Sequence, residues 1–330
     1  MLTRSLALVF LAGLGAPLAA QDFAPGDIAL AVSPLGFTLA PGAVHVLDPD
    51  GRVRESLSLP VVGGLYPHLA TALEYTPDQG LLVVTAAGRF GQYGEVFAAG
   101  RRAPHALHSQ GRIFDFGVAA VNALARDAGG RLYLANGDFQ ATSCCPYTQA
   151  LRVFTPALEL RDTFELEVGD LPYGVAALAV RPDGSELVYS TGAPEVRRYD
   201  LEARAALPSL ALPEQVVDLV WLGAGDEFLV AGAGSHVWHL DTSGNTLATY
   251  AFPGEFGREL ALDLDGRSFL LATRRELPAH VRPADGAPFL NVLRRIDLAT
   301  GATLLHRRLP DGYLGDLAVV EREKLRQRQR

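Results

Sequence analysis

The chain has 330 residues, of which 48% are hydrophobic, and carries a formal net charge of −8. This hydrophobic content is sufficient for a large buried core. The negative charge argues against a nucleic-acid partner, because such a partner requires a basic surface.

The first twenty residues have the pattern of a secretory signal peptide. Arg4 supplies a basic start, an apolar run follows from Leu6 to Leu14, and small residues lead to Ala20. The run is shorter than the about 20 residues that a membrane-spanning helix needs. We therefore predict cleavage near Ala20, a secreted or periplasmic protein without a membrane span, a single domain over 21–320, and a basic tail over 321–330.

A hairpin pattern recurs along the mature chain. Each copy begins with a leucine that opens an apolar strand, and a glycine-containing turn and a second apolar run follow. The opening leucines are Leu73, Leu124, Leu178, Leu219, Leu260 and, with its first strand alone, Leu317. In four copies a glycine lies six residues after the leucine, at Gly130, Gly184, Gly225 and Gly266. Glycine is expected there because the turn needs a positive φ.

Third and fourth strands follow the hairpins, so each repeat of about 40 to 50 residues resembles one β-propeller blade. The copy at Leu317 has a first strand alone, whereas the region after the signal peptide has three strands and no first one. We therefore predict an all-β fold, a six-bladed β-propeller of four-stranded antiparallel blades, whose first blade is closed by the C-terminal strand. A seven-bladed ring is the alternative, if residues 88–118 contain a further blade.

The segment RPDGSELVYSTG, residues 181–192, with VRRYDLEA beyond it, resembles the YVTN/WD40-like exported bacterial propellers. In a propeller, the loops between strands two and three lie on the same face as the connections between blades. Two insertions belong to that face, DFQATSCCPYTQ over 138–149 and TRRELPAHVRPADGAP over 273–288. Long loops on a rigid scaffold commonly carry binding residues, so a site is expected on this face, near the central channel.

Two groups of side chains are candidates for ligand binding on this face. The second insertion supplies Arg274, Arg275, His280 and Arg282, and arginines can clamp a carboxylate or a phosphate. The interblade loops supply Tyr66, His68, Tyr173 and Tyr313, and Glu255, Arg258 and Glu259 can line the channel mouth on the same face. The competing interpretation is a solvated charged loop with ordinary packing residues.

Both cysteines of the chain are adjacent, Cys144 and Cys145, in the first insertion. In an exported protein they can form a vicinal disulfide that stiffens the loop. Such a ring is similar to a feature of the quinone-cofactor alcohol dehydrogenases, which are also propellers. The simplest interpretation is a staple without chemistry; a soft-metal site and an intermolecular disulfide are alternatives.

The sequence contains no convincing catalytic set. We therefore predict a non-catalytic, monomeric binding module for a protein or a small molecule, without a cofactor. The alternative is a metal-dependent lactonase-like hydrolase, as found among six-bladed exported propellers, with Ca²⁺ in the channel. Its candidate ligands on the inner strands are Glu74, Asn122, Asp218 and Asp316. A redox role of the cysteine pair ranks third.

Overall fold

The computed structural model describes residues 22–34, 41–62, 66–76, 80–87, 93–114, 121–136, 150–167, 175–223, 225–282 and 288–321. This part of the chain consists of β-strands and one short 3-10 helix, Ala279–Val281. The first strands are β1 Ile28–Ser33, β2 Ala43–Leu47, β3 Val53–Ser58, β4 Val61–Val62, β5 Tyr66–Pro67, β6 Leu69–Thr76, β7 Gly80–Ala87, β8 Tyr93–Ala99, β9 Leu107–Phe114, β10 Val121–Arg126, β11 Leu132–Asn136, β12 Ala150–Phe154 and β13 Leu160–Glu165. The later strands are β14 Ala177–Val180, β15 Glu186–Ser190, β16 Glu195–Asp200, β17 Ala205–Ala211, β18 Val216–Leu222, β19 Glu227–Gly232, β20 His236–Asp241, β21 Thr246–Ala251, β22 Phe256–Leu262, β23 Ser268–Glu276, β24 Phe289–Asp297, β25 Thr303–Arg308 and β26 Tyr313–Val319.

Six four-stranded antiparallel sheets form a closed ring, which confirms the six-bladed β-propeller. Blade 1 has the order β26-β1-β2-β3, and blades 2 to 6 are β6–β9, β10–β13, β14–β17, β18–β21 and β22–β25. The first strand of each sheet is the inner one, and each inner strand contacts the inner strands of both neighbouring blades, β22 and β26 included. Within residues 88–118, the described residues 93–114 contain β8 and β9, the third and fourth strands of blade 2, instead of a seventh blade.

The C-terminal strand closes the ring as the sequence predicts. β26 pairs antiparallel with β1, so that Leu317 lies opposite Leu30 and Val319 lies opposite Ile28. The pairing continues beyond the strands, since Val320 N donates to Asp27 O at 2.8 Å and Gly26 N to Val320 O at 2.9 Å. Blade 1 therefore joins both ends of the domain, and no gap separates the first sheet from the last.

The glycine turns between the first and second strands have one shared geometry. At Gly130, Gly184, Gly225 and Gly266 the φ angles are 82°, 74°, 88° and 63°. In each turn the glycine N–H donates to the carbonyl three residues earlier, for example from Gly184 to Arg181 at 2.8 Å. A residue with a Cβ is disfavoured at such a φ, which explains why glycine recurs there.

The core lies in the layers between adjacent blades, because successive residues of a strand face opposite neighbours. The layer between blades 4 and 5, for example, buries Trp221, Phe228 and Trp238. No helix in the described ranges is long and apolar enough to span a bilayer. The predicted signal peptide and the basic tail beyond Glu321 lie outside the described residues.

Candidate functional site

The inner strands carry a β-bulge at one recurring position, two residues before the leucine that marks each repeat. At a bulge the extra residue leaves the ladder and its side chain is re-aimed. Five of the six inner strands have it, at Thr71, Asn122, Val217, Arg258 and Gly315. Of these five residues, Arg258 in blade 6 alone has a long charged side chain, so the bulge sets a cation at the beginning of that inner strand.

The next position, one residue before the repeat leucine, carries an acid in three consecutive blades. These residues are Asp218 in blade 5, Glu259 in blade 6 and Asp316 in blade 1, and we name them the channel acids. The other three blades have alanine there, at 72, 123 and 177. The acids therefore cluster on one side of the ring, because blades 5, 6 and 1 are neighbours.

Two of the channel acids connect adjacent blades through backbone hydrogen bonds. Asp218 accepts from Leu219 N at 2.8 Å and from Leu260 N of blade 6 at 2.5 Å. Asp316 accepts from Leu317 N at 2.7 Å and from Leu73 N of blade 2 at 2.6 Å. Each acid thus accepts hydrogen bonds from the N–H groups of two inner strands. These N–H groups point to the channel, where none of the described neighbouring strands offers a carbonyl acceptor.

The channel acids hold protons more tightly than ordinary carboxyl groups. The pKa of Asp218 is raised to about 7, because burial outweighs the two N–H hydrogen bonds, which favour the charged form and lower the pKa. Burial also raises the pKa of Glu259 and of Asp316 well above the usual range, and the charge of Asp218 adds to both effects. Arg258 and Arg274 oppose the shift at Glu259. This side of the channel is therefore less negative near neutral pH than three carboxylates would make it.

A second group, which we name the arginine site, consists of Arg258, Arg274, Phe289 and Tyr313. The Cζ atom of Arg274 lies 3.9 Å from the centroid of the Phe289 ring and 5.0 Å from that of Tyr313. The two rings lie 5.7 Å apart. Tyr313 is 44% exposed, so the group opens to solvent where β26 begins. The aromatic faces support the guanidinium of Arg274 by cation–π contact.

Neither arginine of this site has a polar partner among the described residues. The Nε atoms of Arg258 and Arg274 are buried without a hydrogen bond. Among the described residues, no carboxylate oxygen lies within 4.0 Å of a nitrogen of either guanidinium. Burial and, to a smaller extent, the charge of Arg258 together lower the pKa of Arg274 to about 10, although Tyr313 and Glu259 act in the opposite direction. Two desolvated cations with unused donors therefore face each other near the channel mouth.

The sequence-based loop boundary at residue 273 is wrong. Arg274, Arg275 and Glu276 continue β23, opposite Asn291, Leu290 and Phe289 of β24. The pairing continues because the apolar residues at the beginning of β24 extend the hairpin beyond the body of the blade. This extension is what carries Arg274 towards Tyr313 of blade 1.

The other candidate ligand residues lie apart from this pair. Arg275 and His280 are exposed, and Arg282 Nε donates to Leu277 O at 2.9 Å within its own loop. His68 is 1% exposed and hydrogen bonds through Nδ1 to Thr85 Oγ1 at 2.7 Å in blade 2. The backbone of Tyr66 belongs to β5, but the side chain of Tyr66 is not among the described ones. Tyr173, Cys144 and Cys145 also lie outside the described residues.

Three of the four residues of the predicted cation site have described side chains, and each of the three has its own hydrogen-bond partners. Glu74 receives Arg126 Nε at 3.1 Å, and the same guanidinium binds Glu321 at 2.6 Å. Asp218 and Asp316 accept the backbone hydrogen bonds described above. The side chain of Asn122 lies outside the described part. Within that part, no three His, Cys, Asp or Glu side chains are grouped closely enough to hold one metal ion.

The sequence places Arg258 and Glu259 among the interblade residues of the channel mouth, although not in the ligand or metal set, and it does not indicate Phe289. Arg258 and Glu259 occupy the two positions before the repeat leucine at Leu260, so aligning the repeats by that leucine exposes both of them. No signal in the sequence identifies Phe289, because its contact with Arg274 depends on the length of the β23–β24 hairpin.

Comparisons with known proteins support the fold alone. No protein-family model matches the chain, and no curated protein matches it. A protein of unknown function from Bacteroides caccae is similar in structure, with a TM-score of 0.64 and 13% identity, over 90% of this chain and 99% of that one. Hydrazine synthase of Kuenenia stuttgartiensis is similar with a TM-score of 0.52 and 17% identity, over 73% of this chain and 66% of that one. At these identities the chain is similar to both in its β-propeller architecture.

Proposed function

We propose that this propeller is a non-catalytic binding module for a small carboxylate or phosphate anion, held at the arginine site. The observation that carries the proposal is the pair of buried Nε atoms, in Arg258 and Arg274, that donate no hydrogen bond. An unmade hydrogen bond of a buried charged group is costly, so a site that keeps two of them is suited to a ligand that completes both.

The geometry of the site favours an anion in the plane of the guanidinium. The centroids of Phe289 and Tyr313 lie 3.9 Å and 5.0 Å from Cζ of Arg274 and 5.7 Å from each other, so the rings contact the guanidinium from adjacent directions without replacing a hydrogen-bond acceptor. A planar guanidinium presents its N–H groups as a fork that matches two oxygens of a carboxylate or phosphate. The raised pKa of Glu259 supports the same conclusion, because a carboxyl group that holds its proton more tightly neutralises the arginines less than an ordinary carboxylate would.

Calorimetric titration of the purified protein with sodium phosphate and with disodium succinate, at low salt, tests the proposal. We expect the wild-type protein to bind at least one of these anions, and Arg274→Met to weaken binding at least about tenfold by removing a charged hydrogen bond of roughly 1.5–3 kcal/mol. Arg275→Met is the matched control, because Arg275 is the exposed neighbour on the same strand. Equal affinity of the wild-type protein and Arg274→Met would overturn the proposal.

The cation-dependent hydrolase remains a second candidate, supported by the acids at equivalent positions of blades 5, 6 and 1. Its test is the opposite titration, with CaCl₂ against the wild-type protein and Asp316→Asn. Calcium binding by the wild-type protein that is lost in Asp316→Asn would favour this candidate. A thermal midpoint that does not change with CaCl₂, in a protein that binds succinate, would leave the anion module as the better account.

Export belongs to the same proposal and rests on the signal-peptide pattern that ends at Ala20. Membership of the YVTN/WD40-like propellers likewise rests on the hairpin pattern of residues 181–192. Mass spectrometry of the protein secreted by an expressing cell would give the mature N-terminus, and an intact Met1 would contradict the cleavage.

A further inference from the structure

The six interblade layers are not filled alike. Buried aromatic rings occupy the layers between blades 1 and 2, 3 and 4, 4 and 5, and 5 and 6; examples are Phe97, Tyr189, Trp221 and Phe269. The layer between blades 6 and 1 is aliphatic and consists mainly of leucine and isoleucine. The described buried side chains of the layer between blades 2 and 3 are alanine, valine and leucine, with Phe154 partly buried at its edge. Neighbouring blades diverge outward from the axis at each layer, so small side chains leave space unfilled.

A cavity of about 250 Å³ lies in this layer. Leu82 and Val84 line it from blade 2, and Leu132 and Leu134 line it from blade 3. It opens at the rim beside Leu160, which is 58% exposed. An apolar cavity of about 150 Å³ is enough to bind benzene, so this one accommodates a larger apolar group.

One residue of the wall adopts an unfavourable backbone conformation. Leu158, which lines the cavity, has a φ of 64° in the turn between β12 and β13. The equivalent turns of blades 1, 5 and 6 have glycine with positive φ, at 51, 244 and 301, and that of blade 4 has Arg204 with a φ of 53°. A leucine is disfavoured in this left-handed region, and such strain concentrates at functional sites. Blade 3 therefore keeps a large apolar side chain where the fold would be satisfied by glycine.

The polar part of the wall consists of Gln110 and Arg152. Gln110 is the extra residue of a bulge in β9, between the partners of Val96 and Phe97. Arg152 on β12 lies opposite Leu134, so its stem extends along the aliphatic wall. Burial lowers the pKa of Arg152 from its ordinary value, but the group stays cationic. The site thus combines an aliphatic chamber with one cation and one amide.

We propose that the cavity between blades 2 and 3 binds an amphipathic carboxylate with a linear alkyl chain of medium length. The chain lies among the leucine and valine side chains, and the carboxylate contacts Arg152 and Gln110. This proposal is independent of the arginine site, which belongs to blades 6 and 1 and offers its ligand no aliphatic chamber.

Calorimetric titration of the purified protein with hexanoate, octanoate and 1-octanol tests it. Burial of each methylene favours binding, so we expect octanoate to bind about fifteenfold more tightly than hexanoate. Arg152→Met is expected to weaken octanoate about tenfold and to leave 1-octanol unchanged. The double variant Arg258→Met/Arg274→Met should bind octanoate as the wild-type protein does. Loss of octanoate binding in that double variant would place the ligand at the arginine site and overturn this proposal.

The variant Leu158→Gly shows whether Leu158 serves to contact the ligand or to stabilise the fold. Glycine suits the φ of 64°, so the thermal midpoint is expected to stay near that of the wild-type protein while octanoate binding weakens about tenfold. Unchanged binding in Leu158→Gly would contradict the proposal, as would a wild-type protein that does not bind octanoate. A photoreactive octanoate should label residues 80–87, 93–99, 107–110, 121–136 or 150–160; label confined to other segments would also overturn it.

Discussion

Arg294 and Arg274 lie on the paired strands β24 and β23 of blade 6, and they use the same charge in different ways. Arg294 donates to both carboxylate oxygens of Glu255, at 3.0 Å and 2.6 Å, and Thr273 adds a hydrogen bond at 2.7 Å. Arg274 makes no such bond and stacks on Phe289. The difference separates an arginine whose hydrogen bonds are made within the fold from one that makes none to the described residues.

The carboxyl group of Glu255 shows the electrostatic effect of the hydrogen bonds made within the fold. Glu255 is 5% exposed, and burial alone would raise its pKa. The hydrogen bonds from Arg294 and Thr273 outweigh burial, so the pKa is lower than the usual value. At Glu259, a few residues along the chain, no hydrogen bond offsets burial and the pKa rises instead. The partner set, more than the burial, decides the direction.

Among the predicted changes, loss of the Arg294–Glu255 ion pair should lower the free energy of unfolding most. Arg294→Met leaves the Glu255 carboxylate buried beside Thr273, which we expect to cost about 3–5 kcal/mol of the free energy of unfolding. Urea unfolding measures it. Arg308→Met is the control, because its ion pair with Asp311 has side chains 64% and 48% exposed and is worth at most about 1 kcal/mol. Equal losses in the two variants would remove the distinction between the paired and exposed arginines.

Asp218→Ala should have the next largest effect, because it leaves the N–H groups of Leu219 and Leu260 without their acceptor. We expect a loss of about 1–3 kcal/mol, measured in the same way. Asp226→Ala serves for comparison, since Asp226 is 76% exposed in its ion pair with Arg181. A loss no larger than that of Asp226→Ala would show that Asp218 does not connect blades 5 and 6.

Glu259→Gln should change how stability depends on pH. The pKa of Glu259 is raised in the folded state, so the folded protein binds more protons than the unfolded one once the pH exceeds the ordinary carboxyl pKa. Stability of the wild-type protein therefore falls as the pH rises through the folded pKa, and glutamine removes this contribution. We compare the change in thermal midpoint that Glu259→Gln causes at pH 8 with the change at pH 4. We expect the change at pH 8 to be more positive by about 2 °C. A difference of the opposite sign would mean that Arg258 and Arg274 keep Glu259 charged.

Arg274→Met should have the smallest effect on stability. Methionine keeps contact with Phe289 and removes a desolvated cation, so the free energy of unfolding should change by no more than about 1 kcal/mol without an added anion. With phosphate present, the wild-type protein should gain thermal stability and Arg274→Met should not. A loss as large as that of Arg294→Met would indicate a structural role for Arg274.

The repeat pattern explains how much of the fold the sequence predicts. Leucine at the beginning of each inner strand and glycine in each turn are local requirements of one blade, and they recur because every blade has the same geometry. The same regularity predicts closure of blade 1 by the strand that begins at Tyr313. Arg274, Tyr313 and Arg258 were named from the sequence in separate loops, whereas Phe289 was not. The four residues come together because a bulge and a long hairpin determine where their side chains lie.

The sequence by itself determined the number of blades, the strands of each blade and the acids at equivalent positions of three inner strands, since all of these depend on local periodicity and turn chemistry. The tertiary structure decided which charges have partners. Arg294 meets Glu255 and Arg274 meets Phe289 and Tyr313 across strands and blades. It also decided that the layer between blades 2 and 3 holds a cavity, because the volume of a layer depends on side chains from two repeats at once.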